Sequence, residues 1–161
     1  MADRPVVLFD PEPRSRSMLF SDGDWNRLAA VADIVSAEDG KMADAAVDRH
    51  IAGAELVIGQ TDLPAGRLEK AGRLKAVINV EGNFLPNVDY PACFARGIQV
   101  LSIAPAFALP VAEMALGLAL DLARGITPAD RAFRDGCEAY GLSGNRGAYL
   151  LTNSPVGLIG F

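Results

Sequence analysis

Short apolar runs rich in β-branched residues, separated by segments of helical periodicity, constrain this chain more than any other feature of it. They occupy residues 6–9, 32–35, 55–58, 76–80, 98–101 and 156–159. Strands that alternate with helices cannot pair as hairpins; they pair side by side through crossover connections, which gives a parallel sheet. The intervening segments fit that scheme. Residues 22–31 follow a cap at Ser21 or Asp22 and place Trp25, Leu28 and Ala29 on one face. Residues 43–51 carry Ala43, Ala46, Val47 and Ile51 at the i, i+3, i+4, i+8 spacing of an amphipathic helix. Residues 64–70 and 91–95 are shorter helices, each opening on a proline, which the first turn tolerates. Five strands before residue 104 predict an α/β lobe with a flavodoxin-like, doubly wound parallel sheet over residues 1–104.

From residue 105 the pattern changes. Residues 110–124 are apolar on nearly every face (Val111, Met114, Leu116, Leu118, Leu120, Leu122) and stop at Arg124 and Gly125. Such a helix needs partners all round, so it is expected to be buried. The apolar stretch 104–120 is long enough to suggest a membrane span, but Pro105, Pro110 and Glu113 interrupt it and Asp121 closes it. A second helix over 128–134 is expected with Thr127 as N-cap and Asp130 near its positive end. Residues 135–154 are turn-rich and predict no element. The run at 156–159 reads as a buried strand leading into Gly160. With no later element to cover its second face, it is expected either to pair with something outside the sequence or to mark a cut chain.

Composition narrows the functional classes. Half of the 161 residues are hydrophobic and the formal net charge is −5, the wrong sign for a protein that grips phosphate backbones. Neither a nucleic-acid nor a membrane partner is expected. Two cysteines, Cys93 and Cys137, with Asp3 and Arg4 following Met1 at once, point to unpaired thiols and a cytoplasmic protein.

One ordered series of residues is familiar. It comprises Leu74-Lys75-Ala76-Val77-Ile78-Asn79-Val80-Glu81-Gly82-Asn83, Asn87-Val88-Asp89, Arg96-Gly97-Ile98, Ala104-Pro105, Val111-Ala112-Glu113 and Val156-Gly157-Leu158-Ile159-Gly160. This series resembles the N-terminal half of the D-isomer-specific 2-hydroxyacid dehydrogenases, the family of phosphoglycerate dehydrogenase and glyoxylate reductase. The likeness covers residues 74–161; the earlier lobe shares only the order of strands and helices.

The resemblance implies a substrate lobe leading through a long helix into a truncated start of a Rossmann domain over residues 105–161. It implies NAD or NADP as cofactor, a small 2-hydroxy or 2-oxo acid as substrate, and a homodimer through the 110–124 helix. Backbone N–H groups at Glu81, Gly82 and Asn83 would hold the substrate carboxylate. Pro110 would approach the nicotinamide, and Gly160 and Phe161 would open the phosphate-binding turn. The family's catalytic Arg, its Glu or Asp, and its His would lie beyond residue 161, so no residue here is assigned a catalytic role and the chain alone is expected to be inactive. The sequence departs from the family at Glu81, Phe84, Pro86 and Pro110. Glu81 would repel an anion unless its side chain turns away or meets a cation.

Other reactive side chains read as structural. His50 ends a charged helix, Cys93 is a buried helix thiol, and neither cysteine has metal-type spacing, so no metal site is expected. Glu113 would face the dipole in the first turn of its helix, and Arg67, Lys70, Arg73 and Lys75 would form a solvated face. The alternative to an oxidoreductase is a non-catalytic flavodoxin-like module that binds a ligand or dimerises.

Overall fold

The five strands expected before residue 104 all form, and they join in one parallel sheet. The structure is a computed structural model that describes residues 4–37 and 40–159. The strands are β1 (Val6–Asp10), β2 (Asp33–Ser36), β3 (Ala54–Gly59), β4 (Ala76–Asn79) and β5 (Gln99–Ser102), in the order β2-β1-β3-β4-β5. That is the flavodoxin-like order. Its register sets Leu8 beside Val35 and Val57, and Asn79 beside Ser102. Helices α1 (Arg16–Leu19), α2 (Asp22–Val31), α3 (Asp44–His50), α4 (Ala65–Lys70) and α5 (Tyr90–Ala95) make the connections. Ser21 is the α2 cap, its hydroxyl accepting from the Asp24 N–H at 3.1 Å, and Asp89 caps α5 by accepting from the Ala92 N–H at 3.0 Å.

A parallel sheet must be covered on both faces. Leu8, Val57 and Val77 pack on one face against Val47 of α3 and Ile51 just after it, Leu68 of α4 and Cys93 of α5. On the other face Val7, Phe9, Ile58 and Val80 meet Phe20, Trp25 and Leu28. The Phe9, Phe20 and Trp25 rings pack with centroids 5.0–5.9 Å apart.

The chain divides into two compact units, Met1–Phe107 and Ala108–Phe161. Helix α6 (Ala104–Arg124) crosses that boundary and starts earlier than the sequence pattern suggested. Pro105 lies in the first turn, where a missing N–H leaves no gap; Pro110 lies inside the helix and leaves the Ala106 carbonyl without its usual donor. Glu113 therefore sits in mid-helix, exposed, and not in the first turn.

The expectation that this helix is buried does not hold among the described residues: Met114 is 65% exposed and Leu122 77%, and Ala123 is its one buried residue. Within the second unit the contact is at the end of the helix, where the Ala123 carbonyl accepts from the Tyr149 N–H at 2.9 Å.

The second unit departs further from the sequence reading. Helix α7 (Ile126–Arg134) begins after Gly125, which takes a left-handed φ of 65° that ends α6. Thr127 is thus inside the helix and not its cap; its N–H and hydroxyl both donate to the Asp121 carboxylate at 2.6 and 2.9 Å. Asp130 pairs with Arg134 one turn on, at 2.9 Å. A short helix α8 (Gly141–Asn145) forms in the turn-rich stretch. Residues 156–159 are not a strand, because no described segment offers them a ladder, and Val156 and Leu158 remain more than 70% exposed.

Leu8 is fully buried between the central strands and Phe94 is 65% exposed. Leu8→Ala is expected to lower unfolding stability by about 2–5 kcal/mol, and Phe94→Ala by less than about 0.5 kcal/mol, in urea denaturation followed by circular dichroism.

Candidate functional site

All five strands run the same way, so their carboxyl ends share one edge, where open α/β sheets place ligands. Four segments meet along it: the loop after β1, the end of β3, the loop 80–83 after β4, and the first turn of α6.

The first two are locked together. Gly59 has a φ of 148°, and a Cβ there would fall 1.9 Å from the Asp10 carbonyl oxygen. Only glycine permits this approach, which lets the Gln60 N–H donate to that carbonyl at 2.9 Å. The Asp10 carboxylate, 1% exposed, accepts from the Met42 N–H at 2.8 Å and the Thr61 hydroxyl at 2.9 Å. Both its oxygens are engaged, so Asp10 ties β1, the approach to α3 and β3 into one edge. Sequence reasoning did not single it out, although an acid closing the apolar run Val6-Val7-Leu8-Phe9 was a visible signal.

The substrate loop is built on this edge. Glu81 does not face the site as a free anion. The Arg14 Nε and Nη2 donate to its two carboxylate oxygens at 2.9 and 3.2 Å, a two-pronged geometry that matches guanidinium to carboxylate. The Arg14 guanidinium also lies 5.5 Å from the Phe107 ring centre. These bonds hold the Glu81 carboxyl below the usual carboxylate range and raise Arg14 above its ordinary value. Gly82 is half-buried, and a Cβ on it would come 3.2 Å from Phe107. Its small size therefore keeps loop 80–83 seated on the α6 turn. Asn83 is exposed beside it.

An apolar cavity of about 410 Å³ opens next to this loop, walled by Phe20, Ile58, Ile78, Val80, Ile103 and Phe107, with Arg14 as its one charged lining residue. Arg14 also borders a second cavity of about 490 Å³, shared with Arg16, Trp25 and Ser36.

Pro110 is exposed within α6 and has no N–H to offer a ligand. Gly160 and Phe161 lie outside the described residues. His50 ends α3 just before β3 begins, which puts it at the amino ends of the strands, opposite the site. Burial raises the Cys93 thiol, with Asp89 adding to the effect, so it stays protonated, and Cys137 is exposed. Among the described residues no group of three or more metal-ligating side chains occurs.

The basic cluster is not a solvated face throughout. Arg67 is only 10% exposed and pairs with Asp44 and Asp48 at 3.0 and 2.7 Å, while Arg73 and Lys75 both reach Glu55.

The Arg14–Glu81 pair has a pH signature. A carboxyl lowered by folding contributes stability that is fully present above its ordinary value, about 4.5, and is lost as pH falls through its lower folded value. Glu81→Gln is expected to be less stable than the parent at pH 7, with the difference shrinking toward pH 3 in urea midpoints. A gap of constant size would show that the pair does not form.

No family-level sequence profile matches the chain. A hydroxypyruvate reductase of Thermotoga maritima is 34% identical over 107 residues, which span 66% of this chain and 34% of that protein. Among solved structures, a phosphoglycerate oxidoreductase of Rhizobium etli is 42% identical with a TM-score of 0.68, covering 92% of this chain and 45% of its own. An NADPH-dependent glyoxylate/hydroxypyruvate reductase of Sinorhizobium meliloti matches at TM-score 0.59 and 24% identity, covering 99% and 45% respectively. The chain thus spans less than half the length of these relatives. Over that span the chain is similar in sequence to the first two of these proteins and in fold to the two solved structures.

Proposed function

We propose that residues 1–104 are the acid-binding lobe of an oxidoreductase in which hydride passes between NAD or NADP and C2 of a D-2-hydroxy or 2-oxo acid. Residues 105–161 then supply the linking helix and the start of a nucleotide-binding domain. The observation that carries this reading is loop 80–83. It sits at the carboxyl end of β4, opens on a backbone at Gly82, and has its one acidic side chain neutralised by Arg14. A substrate carboxylate can accept from the Gly82 and Asn83 N–H groups there without meeting a free negative charge.

The described residues do not themselves cradle a dinucleotide. Pro110 lacks an N–H, and the expected glycine turn falls at residues that are not described. The role of this lobe is to orient the acid and fix which side of C2 faces the donor. His50, the sole histidine, is at the opposite edge and takes no part in exchanging the hydroxyl proton. On its own the 161-residue chain is inactive.

The exposed apolar side of α6 supports a homodimer across residues 110–124. Val111, Met114, Leu118 and Leu122 are each more than 55% exposed, more apolar surface than a lone soluble unit normally shows. The helix is long and apolar enough to cross a membrane, but Pro110, Glu113 and Asp121 in it favour a protein interface. The net charge of −5 argues against nucleic acid.

Two measurements test this. Titration of the 161-residue chain with NADH is expected to show no saturation, whereas in a protein that carries the remaining length of the relatives Gly82→Val should raise KM for the acid about tenfold or more and leave NADH binding within about twofold. Equal loss of both would remove the loop from the substrate site. For the interface, the double substitution Met114→Glu with Leu118→Glu is expected to halve the mass measured by light scattering; an unchanged mass would place the contact elsewhere.

A further inference from the structure

The two edges of the sheet are guarded differently. β2 opens on Asp33, which is exposed and paired with Arg4 at 3.0 Å, and charge on an edge strand discourages pairing with another chain. β5, at the other edge, reads Gln99-Val100-Leu101-Ser102, and no charged residue occurs from Gly97 to Ala112. The charge that precedes it, Arg96, is tied down, its guanidinium donating to the Leu68 and Ala71 carbonyls.

The open edge carries a definite pattern of groups. The Gln99 and Ile103 N–H groups donate to the Lys75 and Asn79 carbonyls at 3.0 and 3.1 Å, so by the alternation of a strand Leu101 also turns its main chain toward β4. The N–H and C=O groups of Val100 and Ser102 therefore point outward, and among the described residues no strand pairs with them. Side chains alternate as well. Val100 packs on the face covered by α3, α4 and α5, whereas Leu101 stands beside Ile78 on the other face and is 47% exposed. A groove of about 430 Å³ borders this edge, lined by Phe94, Gly97, Ile98 and residues 99–101.

We infer that β5 pairs antiparallel with β5 of a second copy of this chain, about a two-fold axis beside Leu101. That is the register in which both outward residues find partners: Val100 lies opposite the copy's Ser102, and Ser102 opposite the copy's Val100. Each such pair exchanges two main-chain hydrogen bonds, four in all. Leu101 then faces its own copy at a non-hydrogen-bonded position, where Cα atoms come within about 4.5 Å, so each exposed leucine covers the other.

A second copy suits this edge better than an unrelated peptide. The chain has a net charge of −5, so copies repel over much of their surface, and residues 97–112 are where they can meet with no like charges opposed. The pairing also closes on itself and leaves no free edge at that side. One residue after β5 ends, the chain enters α6, so the strand is continuous with the helix assigned to a homodimer above. The inference goes beyond that helix contact, because it names a strand pairing and a register that the helix does not determine.

The test is disulfide trapping in the 161-residue chain carrying Cys137→Ser, which removes the exposed thiol and leaves Cys93 buried. Leu101→Cys brings two thiols across the axis at a spacing that a disulfide spans, whereas Gln99→Cys leaves them about 14 Å apart, beyond its reach. With oxidised glutathione, Leu101→Cys should give at least tenfold more covalent dimer than Gln99→Cys on non-reducing gels. Leu101→Lys should halve the mass measured by light scattering. Ser102→Pro removes an outward N–H and no bond to β4, so it should do the same and guards against a folding defect in the first variant. Equal trapping at both positions, or a dimeric mass that Leu101→Lys and Ser102→Pro leave unchanged, would overturn the strand pairing and leave the helix contact standing. A monomeric mass for the parent chain would overturn both.

Discussion

The first unit depends on how closely two backbones approach at the carboxyl ends of β1 and β3. Gly59 takes a conformation and a proximity that no side chain permits, and the ladder hydrogen bond from Gln60 to Asp10 follows from it. That contact sets the register of the central strand pair. It also places the Asp10 carboxylate where a buried acceptor can satisfy the Met42 N–H and the Thr61 hydroxyl together. Arg14, four residues beyond Asp10, can reach Glu81 only if β1 leaves the sheet at this height. A packing constraint between two strands thereby governs the charge of a loop on a third.

The sheet was legible in the sequence because its signal is local. A buried parallel strand is a short β-branched run, and each of the five before residue 104 formed within a residue or two of where its pattern placed it. The flavodoxin-like order followed from handedness and short crossovers. Helix boundaries were less legible where a residue has two uses. Proline starts helices and breaks them, so Pro110 looked like a beginning and proved to be interior. Thr127 looked like a cap because hydroxyls cap helices, yet its hydroxyl binds Asp121.

The candidate loop at residues 81–83 was visible from its place after the fourth strand and from its likeness to a known family. Its neutrality was not. Arg14 and Glu81 are 67 residues apart in sequence, and no periodicity encodes a pair at that separation. The same holds for Asp10 with Thr61, 51 apart, and for Arg67 with Asp44 and Asp48. Phe107, which borders both the loop and the apolar cavity, was hidden inside a stretch that read only as hydrophobic. Residues 156–159 mark the opposite error: the run has a strand's composition, but composition alone cannot supply the neighbour that a strand needs.

The aromatic cluster on the second face of the sheet has an optical consequence. Trp25 is the sole tryptophan of the chain and it packs against Phe9 and Phe20 in the first unit. Intrinsic indole emission therefore comes from the sheet lobe alone, while far-ultraviolet ellipticity sums both units. Recorded side by side during denaturation, the two signals separate melting of the lobe from fraying of the helices after Phe107, with no label introduced into either.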